Sequence, residues 1–152
     1  MALSAAACTI WNSTGTATIH TVTDRVHGAT YHWQVRARND VGTTLANSSA
    51  LWQFTVTLPP TSFAKTAPAN NATNQKTSLV LSWAASTRAT SYEYCVALTT
   101  ATCTKWKSTG LARTATVSGL LKGKSYYWQV RAVNTGGSTS SASTFWKFTT
   151  AK

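Results

Sequence analysis

The chain has 152 residues and a formal net charge of +11, from 14 Lys and Arg against 3 Asp and Glu. That length holds one ordinary domain, or one and a half modules of about 95 residues, and no apolar run approaches the about 20 residues of a membrane-spanning helix. With Glu93 as the one carboxylate beyond Asp40, a paired-carboxylate hydrolase site is unavailable in most of the chain.

The opening residues, Met1-Ala-Leu-Ser-Ala-Ala-Ala-Cys8, lack the basic start and long apolar centre of a secretion signal. Next come Cys8-Thr-Ile-Trp11 and Ser13-Thr-Gly15, then Tyr31-His-Trp-Gln-Val-Arg-Ala-Arg-Asn39. In this last stretch Tyr, Trp, Val and Ala occupy every second position. A strand sends alternate side chains to opposite faces, so the row reads as the buried side of an antiparallel strand. Gly42 and Trp52-Gln-Phe-Thr55 complete a first block, residues 1–57. Residues 58–61 contain Pro59 and Pro60, which remove two backbone donors and favour an extended linker.

The second block, 62–152, repeats the first. Cys103-Thr-Lys-Trp106, Ser108-Thr-Gly110, Gly123, Tyr126-Tyr-Trp-Gln-Val-Arg-Ala-Val-Asn134 and Gly137 each lie ninety-five positions after their counterparts. One residue is then lost, and Trp146-Lys-Phe-Thr149 matches Trp52–Thr55. Repetition this long marks two copies of one structural unit. Upstream of Cys103 the second copy has two more alternating segments, Ser78-Leu-Val-Leu-Ser-Trp83 and Ser91-Tyr-Glu-Tyr-Cys-Val-Ala-Leu98, for which the first has no room. Strands are expected near 63–67, 78–84, 91–98, 103–107, 113–118, 125–134 and 144–150, with Asn134–Ser138 as a flexible turn. Seven short strands in about 90 residues argue an all-β, antiparallel sandwich, preceded here by a partial second sandwich.

This second copy resembles a fibronectin type III domain over nearly all of 62–152, on the strength of Trp83 and of Leu120-x5-Tyr126-x3-Val130-x-Ala132-x-Asn134. The resemblance implies a seven-stranded immunoglobulin-like sandwich. It also implies a tyrosine corner made by Leu120 and Tyr126, the Tyr hydroxyl bonding a nearby backbone group. Lys122 stands where the corner usually has Pro, and Arg25 where Leu120 has its counterpart. The wording of the repeats looks most like tandem modules of bacterial extracellular proteins.

Cys95 and Cys103 are eight apart, at the end of one expected strand and the start of the next. A disulfide across that loop is expected, two free thiols being the alternative. It would suit an oxidising compartment, secreted or at the cell surface. Cys8 aligns with Cys103, and the position matching Cys95 falls one residue before Met1. The expectation is therefore that the chain is part of a longer array of modules.

Trp83, Trp128 and Trp146 share an alternation row with Tyr126, Val130, Ala132 and Phe148 and are expected in the core. Trp106 is expected inward too. Exposure is expected only for Trp11, Trp33 and Trp52. Glu93 and Arg131 should form a surface ion pair. His20, His27 and His32 match no metal spacing, and no phosphate loop or nucleophile elbow occurs, so neither enzyme activity nor a cofactor is expected.

The expected role is that of a spacer or adhesion module beside neighbouring domains of the same longer chain. A second reading is a binder of polysaccharide or another anionic envelope polymer through Lys105, Lys107 and Arg131. A nucleic-acid binder ranks last, because charge and aromatics are not interleaved on one surface.

Overall fold

The computed structural model describes residues 8–100, 103–142 and 144–152. It divides into two compact units, Met1–Thr57 and Leu58–Lys152. Both are built from strands. Among the described residues no helix is long and apolar enough to cross a membrane.

Among its described residues the first unit holds β1 (Thr30–Trp33), β2 (Arg36–Arg38), β3 (Thr43–Leu45) and β4 (Trp52–Thr55), with a 3-10 turn at Asn47–Ser49. β1 pairs with β4 and β2 with β3, both antiparallel.

In the second unit the strands are β5 (Lys65–Ala67), β6 (Ala72–Gln75), β7 (Leu79–Trp83), β8 (Ser91–Ala97), β9 (Lys107–Gly110), β10 (Thr114–Val117), β11 (Ser125–Asn134), β12 (Gly137–Ser140) and β13 (Trp146–Thr150). One sheet runs β10-β7-β5. The other runs β6-β13-β11-β8-β9, with β12 also on β11. Alternation puts Tyr126, Trp128, Val130 and Ala132 of β11 and Phe148 of β13 on the inner face, where they meet Leu81, Trp83, Tyr92, Phe63 and Ala115. Five of these, Leu81, Trp128, Val130, Ala132 and Phe148, are wholly excluded from solvent. Burying a side chain of this size contributes about 1.5–3 kcal/mol, so this row dominates the unit's stability.

The seven expected strands are present in outline, with three differences. β6 is new: Ala72-Thr-Asn-Gln75 has no apolar alternation, and it forms by parallel pairing with Phe148 and Thr150 of β13. β12 is new as well. The Asn134–Ser138 turn is the tip of a β11–β12 hairpin, with Asn134 opposite Gly137, and the Asn134 carboxamide accepts from Gly136 N at 2.7 Å. Gly137 takes a φ of +136°, which a side chain would disfavour. Finally, the strand expected at 103–107 lies at 107–110, because its ladder to β8 pairs Tyr94 with Lys107 and Glu93 with Ser108.

Residues 58–61 are held against the second unit rather than spanning free. Leu58 O accepts from Asn134 Nδ2, Pro59 O from Arg88 Nε, and Pro60 O from the Thr139 hydroxyl at 2.7 Å. A proline lacks a donor but keeps its acceptor, and Arg88 and Thr139 use those of Pro59 and Pro60.

Candidate functional site

The tyrosine corner is built as the resemblance implies. Tyr126 is buried, and its hydroxyl accepts the Leu121 amide at 2.9 Å. Leu120 packs against the core beside it. Removing the hydroxyl leaves that amide unpaired, so Tyr126→Phe is expected to lower unfolding free energy by about 0.5–1.5 kcal/mol. Urea titration should show the midpoint falling with an unchanged slope.

The same device occurs in the first unit. The Tyr31 hydroxyl accepts the Val26 amide at 3.2 Å. Where Leu120 would stand, the Arg25 guanidinium lies 5.0 Å from the Tyr31 ring centre. The correspondence extends well beyond the corner. Tyr31 stacks on Phe54 at 5.8 Å as Tyr126 does on Phe148 at 5.7 Å. Trp33 meets Trp52 edge-on at 84°, as Trp128 meets Trp146 at 88°. Gln34 reaches Ala50 O and its neighbour's amide, as Gln129 reaches Ala142 O and Val130 N.

On the outer face of the larger sheet, Cys95 and Cys103 form a disulfide with Cα atoms 5.6 Å apart. Cys95 is 2% exposed although it lies outside the core cluster. Closing a loop of this length stabilises by about 2–3 kcal/mol through the unfolded chain. Cys103→Ser is expected to cost that much under oxidising conditions and almost nothing after reduction of both proteins. An equal loss in both states would place the effect in packing instead.

Arg131 and Glu93 are Cα partners on β11 and β8. Both Nε and Nη2 of Arg131 lie 2.7 Å from the same Glu93 oxygen, and the guanidinium stacks 4.3 Å over the Trp106 ring. One expectation changes. Trp106 is not in the core; it is half-buried with Arg131 over it. Arg131 lies between a carboxylate and a ring, and its pair with Glu93 is the one expected from the sequence. An ion pair this exposed is worth about 0–1 kcal/mol. Lys105 and Lys107 remain exposed on either side of Trp106 in the chain.

The remaining tryptophans sort as follows. Trp83 and Trp128 are buried at 3% and 0% exposure, and Trp146 packs partly buried against the core. Trp52 is 54% exposed, while Trp11 and Trp33 are half-buried.

Lys65 is the residue that sequence reasoning missed. It is 4% exposed. Its Nζ donates to Thr144 O at 2.8 Å and Ser141 O at 3.3 Å. The rings of Trp128 and Trp146 lie 5.7 and 5.5 Å away. Desolvation by burial pushes its ammonium down to about 8. A signal existed, because Lys65 shares the alternation of Phe63 and Ala67. An inward charge on a sheet's outer strand also discourages edge-to-edge pairing.

The two-sheet sandwich and the tyrosine corner define an immunoglobulin-like module. The chain belongs to the fibronectin type III family, whose domain model matches residues 66–146. Chitinase A1 of Niallia circulans is 34% identical over 134 residues, which covers 84% of this chain and 18% of that protein. The chain therefore spans under a fifth of that relative's length. Among solved structures, the FN1–FN3 domains of chicken CNTN1 match with a TM-score of 0.56 at 15% identity, over 88% of this chain and 46% of that one. A Fn3-like protein from Clostridium thermocellum matches with a TM-score of 0.43 at 21% identity, over 60% of this chain and 88% of that one.

Proposed function

We propose that the chain is a non-catalytic spacer or adhesion segment of a multi-domain extracytoplasmic protein, carrying two related fibronectin type III modules. One observation carries the reading. The match to chitinase A1 runs along 84% of this chain, longer than residues 58–152 alone, yet takes up 18% of that protein. A stretch of that kind is a modular part of something larger. The paired corners, ring stacks and glutamine bonds of the two units support common descent of the modules. The disulfide fits an oxidising compartment, and neighbouring domains of the same protein are the natural partners.

A second reading is favoured by the exposed Lys105 and Lys107 flanking Trp106 and by the relative's name: a module that holds polysaccharide. The two readings separate on retention of the full chain by insoluble chitin, by dextran sulfate and by DNA, at about 0.15 M salt where surface charges are well screened. The spacer reading expects no retention on any of them. Retention on chitin that Lys105→Ala with Lys107→Ala abolishes would replace it with the binding reading. Preference for DNA would point to the nucleic-acid alternative.

A further inference from the structure

Three segments of the second unit meet at one end of it: the residues after β6, the corner between β10 and β11, and the end of β13. Gln75 O accepts from Ala151 N at 2.8 Å, and Thr77 O from Leu120 N at 3.1 Å. Gly123 N donates to Ala151 O at 2.8 Å, and Thr150 N to Lys124 O at 3.0 Å. Lys76, Lys122, Lys124 and Lys152 each stand on, or next to, a residue in one of these bonds. A Cβ on Gly123 would lie 3.6 Å from Lys152 Cγ, so the Lys152 stem passes over the glycine that separates Lys122 from Lys124. All four lysines are exposed. Glu93 is the one Asp or Glu from Ser62 onward, and Arg131 holds it.

The fold does not require these charges. The first unit builds the same corner, where Gly28 N donates to Val56 O at 2.9 Å and Val56 N to Ala29 O at 3.0 Å. Gly28 and Gly123 both take a positive φ, +80° and +64°. Yet His27 and Ala29 stand where Lys122 and Lys124 do. One scaffold, built twice, carries the lysines once. Like charges gathered this way repel, so the cluster costs stability in the free protein, and a bound anion relieves that cost. The surroundings select the kind of anion. Lysine offers a compact charge on a flexible stem, which suits phosphate groups of no fixed orientation. Tyr126 and Phe148, the rings beside these segments, are buried and leave no face on which a sugar or a base could stack.

We infer that this end of the second unit is an interaction surface for a flexible phosphate polymer that carries no bases, held by Lys76, Lys122, Lys124 and Lys152. Exposed charges more than about 8 Å apart are largely screened at physiological salt, so a single module grips such a chain weakly. The inference goes beyond the spacer and polysaccharide readings and uses none of Lys105, Lys107 and Trp106.

The test titrates the full chain with inorganic polyphosphate at about 0.03 M salt, where screening is weak. Amide shifts are expected to move at residues 75–77, 121–124 and 151–152, and not around Lys105 and Lys107. Lys122→Gln combined with Lys124→Gln should weaken binding at least about fivefold and lower the slope of log affinity against log salt by about 1–1.5. Lys105→Gln combined with Lys107→Gln removes the same net charge and should weaken binding by less than about twofold. No binding at saturating polyphosphate overturns the inference. Equal weakening by the two pairs overturns it as well, because net charge alone would then be at work. So does tighter binding of single-stranded DNA with the same number of phosphates, which would assign the surface to nucleic acid. The Lys122, Lys124 pair of substitutions should melt no lower than the parent chain, and a lower melting temperature would make these lysines part of the fold and overturn the inference too. The spacer and polysaccharide readings are judged by retention at about 0.15 M salt, so either they or this inference can fail alone.

Discussion

Phe148→Ala is expected to lower the unfolding free energy of the second unit by about 3–5 kcal/mol, the range for deleting a wholly buried aromatic ring. Phe148 has no solvent exposure and stacks on Tyr126. The cavity would open at the seam between the two sheets, where rigid neighbours such as Trp128 and Leu81 can collapse only in part. Because a domain of this size is stable by about 5–15 kcal/mol, the variant should unfold at a much lower urea concentration. The informative control is Phe54→Ala at the matching position of the first unit. That ring is already half-exposed, so the main unfolding transition should move by less than about 1 kcal/mol. Equal losses at the two positions would mean that the two rings are buried alike in solution.

The second large effect is a pH dependence that belongs to Lys65. Burial lowers its ammonium from 10.5 to about 8, while the unfolded chain keeps the ordinary value near 10.4. Below pH 8 both states carry the proton and the folded state bears the full desolvation cost. Between about 8 and 10.5 the unfolded chain binds more protons, so stability rises with pH. Above that window both states are neutral and the cost is gone. The neutral amine still has two hydrogens for Ser141 O and Thr144 O, so deprotonation strands neither carbonyl. Comparison with Lys65→Met cancels the other groups that titrate in the same range. The stability of the wild type minus that of the variant should rise by up to about 3 kcal/mol from pH 7 to pH 10.5. A flat difference would show that Nζ is solvated in the folded protein.

The sequence carried the centre of this molecule and lost its margins. Tyr126 to Ala132 alternate so cleanly that the strand, its inner face and its corner could be read directly. β6 and β12 could not. Ala72-Thr-Asn-Gln75 and Gly137-Ser-Thr-Ser140 have no apolar period, and each exists because a neighbouring strand offers its backbone. Trp106 was misplaced for a related reason. Its row was counted from a strand expected at 103–107, whereas the ladder begins at Lys107. The first unit shows the converse: residues 19–22 keep the wording of a strand but not the pairing, and pairing decides. Lys65 was legible only as a lysine on an apolar row, and its two carbonyl acceptors come from a loop almost eighty residues away. For the function, the repeat and the cysteine pair were in the sequence. The pairing of Arg131 with Glu93 was legible as well, whereas its stacking over Trp106 needed the fold.

Residue-resolved amide hydrogen exchange on the full oxidised chain tests the central claim most directly, because it compares the two units position by position in one sample. The account predicts that Val130, Ala132 and Phe148 exchange only through global unfolding of the second unit, while Val35, Ala37 and Phe54 exchange orders of magnitude faster. Equal, slow exchange at both sets would contradict it, since the first unit would then have a complete and stable core of its own.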